Sequence, residues 1–345
     1  MTMRIFHSPR SVEHASPTFF RRGKSIPSPE SPARYLLLRN ALVTAGFTLT
    51  DAADNGLEPL LGVHSQAYLS FLAEAWSRRA EIDANAEELL TTQFSRTQMH
   101  RRPSGLLGLL GYYSADTSTP IRAETWGSIY GTAQAAISAA DAAIAEGRAY
   151  ALCRPPGHHA FADCAGGFCY INNTAAAAQR MRSALRGRVA VLDIDVHHGN
   201  GTQGIFYERS DVLTVSLHAD TNTYFPFFSG YADETGSGEG KGFNYNMPLP
   251  HGSGDEVFLS AIAAGLDRIA QFAPAGLVIA LGLDAAASDP MGVLKVTTEG
   301  FVRAAKVIEA AARRMRVPVT LVQEGGYVCP ELPINLVAFL RQFGG

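Results

Sequence analysis

Apolar positions in the second half of the chain fall into two alternating patterns. Short continuous apolar runs at 150–153, 189–192, 212–217, 277–283 and 317–322 have the length and content of buried strands. Between them, apolar residues recur at helical spacing over 125–147, 173–185, 255–272 and 298–315, with a closing helix over 332–343. Thr125 is placed to cap the first helix and Gly147 to stop it. Continuous apolar strands separated by helices predict an α/β fold, a parallel sheet covered by helices on both faces. A further short strand is expected from Met1 to His7. No internal repeat or linker divides the chain, so one domain over 1–345 is expected. Its polar stretches at 25–32 and about 84–120 read as long loops, the second an insertion.

Composition removes several function classes. The chain has 345 residues, 46% hydrophobic and 18% charged, which excludes disorder. Twenty-nine basic against 32 acidic residues give a net charge of −3, with no footprint for nucleic acid or an anionic membrane. No apolar run approaches the roughly 20 residues of a membrane span, and the N-terminus is too polar for a signal peptide. The four cysteines form no Cys-x-x-Cys pair, which leaves structural zinc and thioredoxin-like chemistry without support and makes a reduced cytoplasm the expected location. The glycine cluster at 236–240 lacks the strand-to-helix setting of a phosphate loop.

Four polar clusters follow predicted strands: 154–159 (RPPGHH), 193–201 (DIDVHHGNG), 282–284 (GLD) and 324–327 (EGGY). Ligands of open parallel sheets bind beyond the carboxyl ends of the strands, so clusters distant in sequence can converge there. Asp193, Asp195 and His197 alternate and share a face. Charges leaving an apolar strand need compensation. A divalent metal held by Asp195, His197 and Asp284 supplies it, in the three-ligand open arrangement of a catalytic zinc site; a metal-free Asp/His hydrogen-bond network is the alternative. His158 and His159, in a turn fixed by proline and glycine, suit a base and an electrostatic partner acting on one water, or are simply a loop feature. Tyr327 can polarise a carbonyl or be structural. Phe168 and Phe225 can wall a tunnel, although composition alone favours ordinary core.

These strings, in this order, resemble the arginase/deacetylase-fold zinc amidohydrolases, which include the histone deacetylases. Gly167-Phe168-Cys169-Tyr170-Ile171-Asn172-Asn173, His197 to Gln203, Gly111-Tyr112-Tyr113 and a long segment before Trp126 are similar to the bacterial acetylpolyamine amidohydrolase branch. The resemblance implies one Zn²⁺ on Asp195, His197 and Asp284, with His159 as general base. It pairs His158 with Asp193, gives Asn200 the task of orienting His159, and places Tyr327 on the acetyl carbonyl. Phe168, Gly167 and Phe225 would line the acetyl tunnel. Structural K⁺ is implied at two sites, one on Asp193, Asp195, His197, Ser216 and Leu217, the other on Phe206, Arg209, Val212 and Phe243. The implied substrate is a small acetylated amine (acetylputrescine, acetylcadaverine or an acetylated spermidine or spermine), and the implied assembly is a homodimer whose loop before Trp126 narrows the mouth. A peptide acetyl-lysine deacetylase and a non-catalytic sensor of acetylated ligands are the alternatives. Two departures bear on the substrate and metal count. Ala286 stands where arginases carry another carboxylate, which argues for a single ion. Ser118 stands where an acidic residue facing a polyamine cation is expected, leaving Asp116 and Glu30 as the acids that can attract a distal ammonium.

Overall fold

The computed structural model describes residues 3–99 and 101–344. The chain runs through β1 (Arg4–His7), β2 (Thr18–Arg21), β3 (Lys24–Pro27), α1 (Pro32–Thr44), β4 (Leu49–Asp51), α2 (Glu58–Leu61), α3 (Gln66–Glu74) and α4 (Leu106–Tyr112). It continues through α5 (Thr125–Glu146), β5 (Arg148–Leu152), α6 (Asn173–Leu185), β6 (Val189–Asp193), α7 (Asn200–Phe206), β7 (Val212–Ala219) and β8 (Asn244–Leu249). It ends with α8 (Asp255–Phe272), β9 (Gly276–Leu281), α9 (Thr298–Met315), β10 (Val319–Gln323) and α10 (Leu332–Gly344). Eight strands form one parallel sheet in the order β4-β1-β5-β10-β9-β6-β7-β8, and β2 and β3 pair as a separate antiparallel hairpin.

Successive side chains of a strand point to opposite faces, and here both faces are apolar. Ile5, Tyr150, Leu152, Leu192, Ile279 and Leu321 pack on one side with residues of α1, α8, α9 and α10. Phe6, Ala151, Val191, Val278 and Val322 pack on the other with α3, α4, α5 and α6. The second face is built of small residues. Ala133, Ala136, Ala140 and Ala143 of α5 and Ala175 to Ala178 of α6 have no solvent exposure. Alanine has the highest helix propensity and lets helix backbones approach closely, so a fully buried pair of helices is stable without large side chains.

Several boundaries differ from the sequence reading. The strand expected over 277–283 ends at Leu281, and Gly282 and Leu283 already belong to the loop that presents Asp284. The strand expected from 317 starts at Val319, because Arg316, which caps α9, takes the left-handed region and Pro318 has no N–H to give a ladder. Thr125 is the first helical residue rather than the cap, which is Glu124. The supposed loop at 25–32 overlaps β3 and runs into α1, whose first residue is Pro32. The supposed loop over 84–120 contains α4 and a bridge between Leu89 and Ile121. Met1 and Thr2 of the expected first strand lie outside the described residues, and β1 begins at Arg4. Helix α1 escapes a periodicity reading because its apolar residues are spread around the cylinder. No helix among the described residues is long and apolar enough to cross a membrane.

The close α5–α6 packing yields a stability prediction. Ala176→Leu adds three methylene-sized groups where there is no room, and overpacking of this kind costs about 1–3 kcal/mol. Thermal unfolding of the variant should show a lower midpoint; an unchanged midpoint would mean that this face has slack.

Candidate metal centre and active site

Strands β5, β10, β9 and β6 are consecutive neighbours in the middle of the sheet. They are parallel, so their carboxyl ends emerge together. The four polar clusters are the continuations of those four strands, which is why segments far apart in sequence meet at one place.

Asp195, His197 and Asp284 each offer a ligand atom, and these atoms lie within 4.8 Å of one another. His197 Nδ1 is 3.2 Å from Asp195 Oδ1 and 3.2 Å from Asp284 Oδ2. Ligand bonds of about 2.0 Å at tetrahedral angles put neighbouring ligand atoms about 3.3 Å apart, so the spacing suits an ion the size of zinc. Both carboxylates are buried, and burial together with the charge of Asp195 pushes the Asp284 carboxyl up. Two buried carboxylates this close need a cation. The backbone makes the cradle: a Cβ on Gly325 would lie 2.0 Å from Asp284 Oδ2, and one on Gly282 would lie 2.2 Å from Asp195 Oδ2. Gly325 N donates to Asp195 Oδ2 at 2.7 Å, and Val196 N donates to Asp284 Oδ1 at 3.0 Å, which fixes the carboxylate planes. Ala286 is buried and brings no further ligand.

The histidine pair lies against this centre in two different environments. His158 Nδ1 is 3.0 Å from Asp193 Oδ2, and His159 Nδ1 is 2.7 Å from Asn200 Oδ1. Burial opposes charge on His158, but Asp195 and Asp193 outweigh it and push the imidazole up to about 10. Burial, then the neighbouring His158 and His197, holds His159 well below the ordinary histidine value. The turn that carries both is pinned by Glu324, whose Oε2 accepts from Gly157 N at 2.6 Å and His158 N at 3.0 Å. Burial pushes that carboxyl up to about 7. Gly157 is required at the turn, since a Cβ there would lie 2.3 Å from Asn173 N.

A cavity of about 300 Å³ opens over the triad. Tyr327, His159 and His197 form its inner end, and Phe168, Gly167 and Phe225 its walls. Phe168 and Tyr327 have ring centroids 6.1 Å apart, and the Phe225 ring meets His159 edge-on at 4.9 Å. Burial and then Asp284 raise the Tyr327 phenol well above its ordinary value, so it keeps its proton and can donate. Gly167 has φ +54, and a Cβ there would lie 2.4 Å from His159 Cδ2.

Of the two acids expected at the mouth, the structure brings Asp116 to it but not Glu30. Glu30 is buried away from it, with Oε1 2.9 Å from Arg154 Nε and 3.5 Å from Arg34 Nη1. Asp116 does line the cavity, but its Oδ2 accepts from Gly167 N at 3.0 Å and its Oδ1 from Ser118 N at 2.8 Å. It braces the wall from the position where a free acid was expected. Of the residues named for potassium, Ser216 Oγ is 2.8 Å from His218 Nδ1, Asp193 Oδ1 accepts from Asp195 N, and Leu217 is buried in β7. The Phe206 carbonyl accepts from Arg209 N, the Phe243 carbonyl accepts from Thr214 N, and Val212 is the first residue of β7.

Sequence reasoning passed over several site residues. Arg34, fully buried on α1, donates to the carbonyls of Glu324 and Gly326 and lies over the Tyr327 ring. Tyr224 stacks on His197 with centroids 4.9 Å apart. Phe19 of β2 packs on Phe168 at 5.0 Å, and Arg21, Arg22 and Met291 reach the mouth. Tyr224 carried a signal through its position beside Phe225, and Met291 lies in the segment between β9 and α9. The others come from the N-terminal hairpin and α1, which the pattern did not resolve.

Residues 28–343 match the histone deacetylase domain family. The chain is 42% identical over 345 residues to an acetylpolyamine amidohydrolase of Burkholderia pseudomallei, covering 98% of each protein. It is 39% identical over 346 residues to an acetylpolyamine amidohydrolase of Mycoplana ramosa, covering 99% of this chain and all of the relative. The crystal structure of an acetylpolyamine aminohydrolase from Burkholderia pseudomallei superposes with a TM-score of 0.94 at 40% identity, over 100% of this chain and 99% of that one. The parallel sheet, the convergent clusters and these matches agree that the chain belongs to the histone deacetylase family and has the arginase/deacetylase fold.

Proposed function

We propose that this chain is a metal-dependent amidohydrolase that releases acetate from small acetylated amines, acetylpolyamines among them. The observation that carries the reading is the meeting of Asp195, His197 and Asp284 with His159 and Tyr327 at the closed end of an aromatic-walled slot. Two oxygens and one imidazole nitrogen suit zinc. A divalent ion there supplies Lewis acidity toward water and a carbonyl oxygen.

The chain's own groups do the rest. Neutral His159, steadied by Asn200, takes a proton from the water that attacks the acetyl carbon. The Tyr327 hydroxyl donates to the carbonyl oxygen as negative charge develops on it. His158, charged against Asp193, places a fixed positive charge behind the reacting centre. His159 then gives its proton to the leaving nitrogen, the C–N bond breaks, and acetate and a free amine result. Phe168 and Phe225 exclude water and accept the methyl group. A mere sensor of acetylated ligands has no use for a base and a carbonyl donor together, which favours turnover.

Structural potassium at the two sites named from the sequence rests on the resemblance to the deacetylase family. A homodimer is supported by the exposed Met99 and Leu107 in the segment before Trp126. A cytoplasmic location is supported by four unpaired cysteines.

Two experiments test the reading. Tyr327→Phe should keep its metal, measured by elemental analysis, and lose roughly 10²–10³ in kcat, the usual effect of removing one oxyanion donor; unchanged acetate release would remove Tyr327 from the mechanism. Chelation should abolish turnover and lower the melting temperature, because Asp195 and Asp284 then face each other uncompensated, and added Zn²⁺ should restore both. A melting temperature indifferent to chelator and zinc would mean that the triad holds no ion.

A further inference from the structure

Tyr327 stands at the inner end of the slot, and its hydroxyl has no hydrogen-bond partner among the described residues. The direction of its ring is therefore set by its backbone. That backbone follows Gly325 and Gly326, the latter at φ +118, and a glycine pair leaves a loop free to move unless other contacts fix it. The peptide between Gly326 and Tyr327 is gripped at both ends. Arg34 donates to its oxygen, and its N–H donates to Asp289 Oδ2 at 2.7 Å. The other oxygen, Asp289 Oδ1, accepts from Met291 N at 2.8 Å, so the carboxylate plane is itself fixed. Asp289 is buried and does not line the cavity.

The segment that carries Asp289 starts at the metal centre. Ala286 N donates to the Leu283 carbonyl at 3.3 Å, Asp289 N to the Ala286 carbonyl at 3.1 Å, and Gly292 N to the Asp289 carbonyl at 3.3 Å. Ala287 N and Val296 N complete a bridge to the returning chain. Gly292 passes so close that a Cβ there would lie 2.1 Å from the Asp284 carbonyl oxygen. Asp284 and Asp289 are thus the two ends of one braced turn. One end faces the triad and the other holds the tyrosine.

From this arrangement we infer that Asp289 is the positioning residue of Tyr327, setting the phenol hydroxyl at a fixed place relative to the metal ligand Asp284. The role rests on the amidohydrolase reading and adds to it a group that acts only through the tyrosine. A hydrogen bond to a carboxylate is about twice as strong as one between neutral groups, which suits a bond that must hold a glycine-rich loop. An oxyanion donor works only where the charge develops, and a misplacement of about 1 Å can cost roughly 10²-fold in rate.

A double-mutant cycle on the metal-loaded full chain tests this, with N-acetylputrescine and an acetyl-lysine peptide as substrates and acetate release as the readout. Asp289→Ala should lower kcat by roughly 10–10²-fold when Tyr327 is present. In the Tyr327→Phe background it should lower kcat little further, because the hydroxyl it positions is already gone. A side chain that merely props up the fold would cost the same factor in both backgrounds. Asp289→Asn keeps the shape but can face only one of the two N–H groups with oxygen. It should lose less than the alanine variant and show the same dependence on the tyrosine, which keeps the test open if the alanine variant does not fold. Equal losses with and without the tyrosine hydroxyl, in either variant, or a full rate in Asp289→Ala, overturn the role of Asp289 and leave the hydrolase intact. Failure of the unmodified chain to release acetate from either substrate overturns the hydrolytic reading and this role with it.

Discussion

Two carboxylates without access to water, Asp195 and Asp284, are held at the ends of the neighbouring strands β6 and β9, and much of the surrounding structure follows from that. Like charges at this separation repel strongly in a medium of low dielectric constant. The backbone N–H groups of Gly325 and Val196 offset part of the repulsion, and the glycines at 282 and 325 let the chain come close enough to donate. The remainder calls for a cation. A sheet of parallel strands is the economical way to arrange this, since every strand delivers its carboxyl end to the same edge and the supporting helices keep both faces dry.

The same requirement explains a buried cluster that plays no part in the chemistry. Glu30 and Arg34 are close neighbours in the chain and Arg154 is distant from both, and all three are almost without exposure. Arg34 holds the carbonyls of Glu324 and Gly326, which sets the loop bearing Tyr327. Arg154 holds the carbonyls of Ser11 and His14, tying the N-terminal segment to the turn that carries the histidine pair. Glu30 is shared between both guanidiniums as their common ion-pair partner. A buried ion cluster is weak evidence for stability, so its value lies in register: it fixes the tyrosine loop relative to the histidine turn.

How much of this was legible in the sequence depended on the kind of signal. The central strands announced themselves because both their faces are buried, which makes continuous apolar runs, and the helices between them because their apolar stripes are regular. The triad and the histidine pair were legible because charged residues directly after such runs need a physical reason. The N-terminal hairpin was not. Its strands expose alternate residues and carry arginine and lysine, so Thr18–Pro27 looks like a loop until it is seen resting on Phe168. Glu30 misled for a related reason. An acid in a polar, proline-rich stretch reads as solvated, and only its two arginine partners, 4 and 124 residues further along, show that it is buried.

The histidine pair shows why identity of residue type says so little about role. His158 and His159 are adjacent, with ring centroids 4.1 Å apart, and both are buried. Two charged imidazoles cannot share that space cheaply, so one proton between them is the favoured state. The carboxylate of Asp193 decides which ring keeps it, because it faces Nδ1 of His158, whereas His159 faces only the neutral amide oxygen of Asn200. An amide accepts a hydrogen bond and fixes a tautomer without stabilising a full positive charge as a carboxylate does. Nδ1 of His159 therefore donates to Asn200, and its Nε2 is left as an unprotonated base. One carboxylate and one amide, placed behind two identical side chains, are enough to separate a permanent cation from a proton acceptor.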